Sequence, residues 1–227
     1  LGEPFDFHGG GSDLIFPHHE NEIAQTEACC NHGPMVNYWV HNGFITIDSE
    51  KMSKSLNNFF LVKDVLEHYS PDALRYFLIS NHYRSPLDFS DERLTEMTRS
   101  LERRGTAIDN TLWLLEQPSG GKSELSAALL TDAQRTMEDF ETAMCDDFNT
   151  ALASAAMFEL AKKVNIYTSE VSTNGVPADS AVLSEVKRIF KTMTDILGVL
   201  EDRWNGTAGK ADDKDYAALM NVILELR

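Results

Sequence analysis

Positive charge is scarce in this 227-residue chain: 20 Lys and Arg stand against 36 Asp and Glu, a net charge of −16. Broad, non-specific nucleic-acid binding depends on neutralising phosphates, so this balance excludes it while leaving room for a local basic site. Long apolar runs are missing too. No stretch approaches the ~20 residues a membrane helix needs, so no membrane association is expected. The start, Leu1-Gly2-Glu3-Pro4, has neither the basic nor the apolar region of a signal peptide. It also has no initiator Met, and a fragment of a longer chain is expected. Three cysteines, two of them adjacent (Cys29, Cys30), cannot make a disulfide framework and point to a reducing cytoplasm. There is no fixed-period repeat and no low-complexity tract. With 42% hydrophobic and 25% charged residues, the composition is that of a globular protein.

What is there is unevenly placed. All seven histidines lie within residues 1–90, so catalytic chemistry is expected in that part. The apolar patterning there is α/β. Phe5-Asp6-Phe7-His8 reads as a short strand running into a turn at Gly9-Gly10-Gly11, where the absence of Cβ atoms lets a flat ligand approach the backbone, with Asp13 at the lip. The dinucleotide fingerprint is not met, because Leu14 stands where its last glycine is required. Pro17 then opens a helix expected over His18–Cys29. His18 and Glu22 are four apart and share one face. That pair is half of a zinc site, or equally a solvated helix face with one ion-paired histidine. The zinc-hydrolase pattern His-Glu-x-x-His is not matched. Val36–Val40 and Phe44–Ile47 read as strands flanking His41-Asn42-Gly43, with Tyr38 and Trp39 as packing residues.

Next comes Lys51-Met52-Ser53-Lys54-Ser55, expected on an exposed loop between a strand and a helix near Leu61–Leu66. Two lysines and two hydroxyls there suit a polyanion that is gripped and released. Ser70-Pro71-Asp72 caps a helix with Ala73, Leu74, Phe77 and Leu78 on its apolar face. Residues 84–89 read as a connector. From Ser90 the pattern is helical throughout: a long amphipathic helix through Leu115, a second opening at the Thr131–Gln134 capping box, a third over Ala151–Ile166, and a fourth over Val182–Leu200. Asp146 and Asp147 are placed as helix caps. Residues 118–123 imitate a phosphate loop but carry Glu116 where its leading glycine belongs. A linker is expected over Glu201–Asp213 and a final helix over Tyr216–Arg227.

Taken together, these stretches resemble the class I aminoacyl-tRNA synthetases, and among them the cysteinyl-tRNA synthetase family. Lys51–Ser55 matches the class I lysine loop. Asp72-Ala73-Leu74-Arg75 is the string that names the helical domain following it, and Phe16-Pro17-His18-His19-Glu20-Asn21-Glu22 points to the cysteine enzyme. The resemblance implies α/β followed by all-α: residues 1–48 as the second half of a Rossmann-like catalytic domain with a partial zinc site, 49–90 as lysine loop and connector, 91–213 as an antiparallel helical bundle that binds tRNA, and 214–227 as the start of an anticodon-binding region. It implies ATP-dependent charging of L-cysteine onto tRNA(Cys) by a monomer. Lys54, assisted by Lys51, would contact the phosphates of ATP, which arrives with Mg2+. Ser53, Gly9, Gly10, Gly11 and Asp13 would complete the ATP site, and His8 with Asp13 would line the cysteine pocket. Zinc would be held by His18 and Glu22 together with two cysteines that lie upstream of Leu1 in the family pattern. The family's His-x-Gly-His is absent, so the chain alone is expected to be inactive. The competing implications are a cysteine:amino-sugar ligase of the same superfamily and a non-catalytic tRNA-binding module.

Overall fold

The computed structural model describes residues 4–30, 34–47, 50–51 and 61–205. Its first element, β1 (Phe5–Gly11), lies parallel to β2 (Val36–Asn42), with Phe5 opposite Val36, Phe7 opposite Tyr38, His8 opposite Trp39 and Gly11 opposite Asn42. The three glycines expected in a turn therefore belong to the strand, because β2 gives their backbone a ladder partner. Between the strands, Ser12–Leu14 forms a tight turn and Ile15–His19 an irregular one, before α1 (Glu20–Cys30). The helix begins two residues later than its pattern suggests. Phe16 is extended (φ −132, ψ 133), as a residue preceding proline prefers.

A second small sheet is ordered β4-β3-β5. Strand β3 (Ile45–Ile47) runs antiparallel to β4 (Glu50–Lys51) and parallel to β5 (Leu87–Asp88). The supposed connector at 84–89 thus contributes a strand, joined through Thr46 Oγ1 donating to Asp88 Oδ1 at 2.7 Å. Between these strands lie α2 (Val62–Val65) and α3 (Pro71–Ile79). Ser70 Oγ caps α3 by accepting from the Ala73 amide at 3.1 Å. Its buried face is Ala73, Tyr76 and Phe77, whereas Leu78, expected inside, is exposed. Tyr76 is admitted to the interior because its hydroxyl meets Ser154 Oγ at 2.6 Å. Val65, Phe77 and Leu94 form a core cluster backed by Tyr69, Leu74, Leu87, Phe89 and Met97.

From residue 91 the described chain is helical: α4 (Asp91–Glu116), α5 (Glu124–Cys145), α6 (Thr150–Asn174), α7 (Ser180–Leu197) and α8 (Glu201–Trp204). Helix α5 opens seven residues before the Thr131 box, since Ser123 and Ser126 already cap its start reciprocally. The Ser126 amide donates to Ser123 Oγ at 3.0 Å, and the Ser123 amide to Ser126 Oγ at 2.9 Å. Thr131 instead turns its hydroxyl back on the Ala127 carbonyl within the helix. Helix α6 runs eight residues beyond its expected end, and the polar loop shrinks accordingly. Helix α7 stops at Leu197 because Gly198 takes a left-handed cap (φ 66). Part of the expected 201–213 linker is the short α8. Among the described residues no helix is long and apolar enough to cross a membrane.

The chain divides into two compact units, Leu1–Leu101 with Thr136–Phe158, and Glu102–Arg135 with Glu159–Arg227. The second unit has its own core, in which Leu160, Leu183, Ile189, Phe190 and Met193 are sealed from solvent.

Candidate functional site

The parallel pairing of β1 and β2 sets the site. Because side chains alternate along a strand, His8 and Trp39 share one face while Phe7 and Tyr38 share the other. The His8 ring meets Trp39 edge-on at 4.9 Å and His19 edge-on at 5.0 Å. Trp39 stacks on His41 at 5.8 Å with their planes 3° apart. His19, buried, reaches His41 through Nδ1 and Nε2, 2.8 Å apart. It fits because Gly10 has no side chain: a Cβ there would stand 3.0 Å from His19 Cε1 and 2.9 Å from Leu14 Cδ1.

Glu22 is the pivot. Its Oε2 lies 2.8 Å from His8 Nε2, and its Oε1 lies 3.4 Å from His18 Nε2. Glu22 Oε2 is sealed from water and makes no hydrogen bond, so the close His8 approach is an ion-pair distance without hydrogen-bond alignment. His8, His19 and Glu22 each offer a ligand atom, all within 4.8 Å of one another. A buried carboxylate oxygen without a hydrogen bond, facing two imidazoles, is a donor set that fits zinc. Burial is the main cause holding His19 below its ordinary pKa, with His41 and His8 acting the same way, so its imidazole stays neutral and keeps a lone pair.

Two donor sets therefore share Glu22: one with His18 on the same helical turn, the other with His8 and His19. The sequence singled out His18, Glu22 and His8 but missed His19 and His41 as members. Their spacing carries no signal, because β1–β2 pairing places His41 and the intervening Ile15–His19 turn brings His19 to it. Asp13 is exposed, and its carboxylate lies across Gly11, where a Cβ would meet Oδ1 at 2.5 Å. Lys51 ends β4 opposite Thr46. Ser53 and Lys54 lie outside the described residues, as does the expected final helix, 216–227.

Residues 1–99 match the family model for tRNA synthetases class I (C) catalytic domain, and residues 139–201 match the DALR domain. The chain is 46% identical over its whole length to the cysteine–tRNA ligase of Desulforamulus reducens, covering 48% of that protein. It is 50% identical over 88% of its length to that of Geotalea uraniireducens, covering 42%. The chain thus spans about half the length of the curated relatives it matches. Among solved structures it resembles Mycobacterium tuberculosis methionyl-tRNA synthetase bound by methionyl-adenylate, with a TM-score of 0.69 and 22% identity over 88% of this chain and 43% of that one. It also resembles a LeuRS–tRNA–LeuAMS ternary complex from Agrobacterium radiobacter, with a TM-score of 0.67 and 17% identity over 91% of this chain and 28% of that one. At those identities the likeness is one of fold: class I synthetase catalytic architecture followed by a helical domain. Over its whole length the chain is thus similar to part of the cysteine–tRNA ligases, and residues 1–99 and 139–201 match the class I synthetase catalytic domain and the DALR domain.

Proposed function

We propose that this chain is the portion of a cysteine–tRNA ligase that supplies the lysine loop, part of the zinc site and the helical DALR region. The observation that carries this reading is Glu22, a half-buried carboxylate with His8 and His18 on its two oxygens, in a chain 46% identical throughout to one such ligase. In the reaction, a carboxylate oxygen of cysteine attacks the α-phosphate of ATP. The bond to the β-phosphate breaks and pyrophosphate leaves; the acyl group then passes from AMP to a hydroxyl of the tRNA 3′ adenosine. Negative charge is redistributed over the phosphates in the first step, so the protein's work is positioning and electrostatic stabilisation.

Lys54, with Lys51 and Ser53, grips the ATP phosphates that Mg2+ accompanies. Gly9, Gly10, Gly11 and Asp13 border the adenosine and the activated amino acid, and His8 lines the cysteine pocket. His18 and Glu22 contribute two zinc ligands. A bound zinc would favour a thiolate over a hydroxyl, and so cysteine over serine. The neutral His19 keeps cationic charge off the pocket wall, and burial around it excludes water. Residues 1–48 are then catalytic domain, 49–90 lysine loop and connector, and 91–213 the tRNA-binding bundle, in a cytoplasmic monomer.

Cysteine-dependent exchange of pyrophosphate into ATP tests this. The full-length protein carrying this sequence should catalyse it and lose at least about a hundredfold in kcat on Lys54→Ala. The 227 residues alone contain no His-x-Gly-His and should give none. Exchange by a full-length protein that is indifferent to Lys54 would overturn the assignment.

A further inference from the structure

The turn between α5 and α6 is built at a conformational cost. Asp147 and Phe148 both take a left-handed backbone, with φ of 53 at each, which a bulky phenylalanine disfavours. Asp147 does not take the helix-cap role its sequence suggests: Asn149 Oδ1 accepts the Leu152 amide instead, at 3.2 Å. The Asp147 side chain turns to the segment after α3. Its Oδ1 accepts from the Tyr83 hydroxyl at 2.7 Å, and its Oδ2 accepts from Arg84 Nε at 2.6 Å with His82 Nε2 at 3.8 Å. Arg84 also lies 5.3 Å from the Tyr83 ring centroid, and His82 stacks on Tyr83 at 4.8 Å. Beside this clasp, the exposed Phe148 ring meets Phe7 of β1 edge-on at 6.3 Å.

The segment held by Asp147 supports the root of the lysine loop. The Tyr83 carbonyl accepts from the Gly43 amide at 2.8 Å, and Gly43 is so close to Ser85 that a Cβ would stand 2.5 Å from its carbonyl. Downstream of Ser85, the Leu87 amide donates to Phe44 O at 2.9 Å and the Phe89 amide to Thr46 O at 2.8 Å. Thr46 and Ile47 in turn pair with Lys51 and Glu50 of β4. One carboxylate therefore stands at the end of a run of hydrogen bonds, linked through the backbone of 83–89, that leads to β3 and its partner β4, which ends at Lys51.

We propose that Asp147 is a positioning residue for the lysine loop, fixing the β3–β4 root to the α5–α6 turn. The left-handed backbone is what aims its carboxylate at Tyr83 and Arg84. The consequence for ATP rests on reading Lys51–Ser55 as the phosphate clamp; the mechanical link does not.

Hydrogen–deuterium exchange on the complete 227-residue chain tests the link. Asp147→Gly relieves the left-handed backbone but removes the carboxylate. It should raise exchange about tenfold at the Gly43, Leu87 and Phe89 amides and in β3–β4, and leave α7 unchanged. Asp147→Asn, which tolerates the same backbone and keeps an oxygen for Tyr83, should restore part of the protection. Arg84→Ala should loosen the same amides from the other side of the clasp. Exchange raised only at 146–150, or raised uniformly through the chain, would overturn the proposal. In the full-length ligase, Asp147→Gly should raise KM for ATP while leaving KM for cysteine in place. Selective loosening without that split upholds the clasp and overturns the phosphate-clamp reading instead.

Discussion

Tyr76 and Asp147 both place polar groups where their neighbours decide the outcome, and they respond to substitution differently. Tyr76 is buried, and its hydroxyl sits 2.6 Å from the equally buried Ser154 Oγ. Tyr76→Phe keeps the ring and deletes one partner, so we expect a loss of about 1 kcal/mol in urea unfolding. Asp147 is exposed enough that its effect shows as pH dependence. The Arg84 hydrogen bond, then the Tyr83 hydroxyl, hold its carboxyl below the ordinary carboxylate range, with Arg84 and His82 charges adding to this. A depressed native pKa means stability that is present above the unfolded value of about 3.9 and is lost as pH falls through the native value. Wild type should therefore lose more stability than Asp147→Asn between pH 5 and pH 2, read as the difference of their thermal midpoints; parallel curves would exclude an ionised clasp. None of this was legible beforehand. Asp146-Asp147-Phe148-Asn149 has the composition of a cap, and only the left-handed backbone reverses the direction of the second aspartate.

Elements were legible to the degree that local chemistry decides them. Ser70-Pro71-Asp72 places a cap, a preset φ and a favourable charge in succession, and α3 begins there. The Thr131 box misled because a capping box needs an actual break before it, whereas Ser123 and Ser126 had already started α5. Strand β1 was truncated at its glycines because their low strand propensity is overridden by a partner 31 residues away in β2. Helix α7 shows what a tertiary cap adds. The Asp179 carboxylate accepts from the Ala181 and Val182 amides at 3.1 and 3.3 Å and faces Ser126 Oγ at 3.3 Å. Because Asp179 is buried, Asp179→Ala strands donors away from water as well as removing the cap. We expect a cost of about 2 kcal/mol in denaturant unfolding. Asp179→Asn, which can still accept from the helix amides, should cost less than half as much. Equal losses would show that charge, not capping geometry, matters there.

The scale of the whole chain decides how the candidate metal centre behaves. The class resemblance was carried by contiguous strings, which survive any error in fold reading: Lys51–Ser55, Asp72–Arg75 and Phe16–Glu22. The donor geometry was not, since His8, His41 and Trp39 converge through β1–β2 register and His19 reaches them from the Ile15–His19 turn between the strands. A closed zinc site takes four ligands, and thiolates favour it over oxygen and nitrogen alone. This chain presents two imidazole and carboxylate sets that compete for one glutamate: His18 on Oε1, and His8 on Oε2 beside His19. Both cannot be satisfied by a single ion at full strength, and Cys29 is exposed on α1 two turns beyond Glu22. The 227-residue chain should therefore bind zinc weakly, displaced by a modest chelator in a competition titration. Glu22→Gln should abolish that binding whichever set is used, since it removes the shared anionic ligand. His18→Ala and His8→Ala then separate the sets, because only the loss of a true ligand weakens binding. Stoichiometric zinc that resists chelation and survives Glu22→Gln would place the metal elsewhere in the chain and remove Glu22 from the centre of the site.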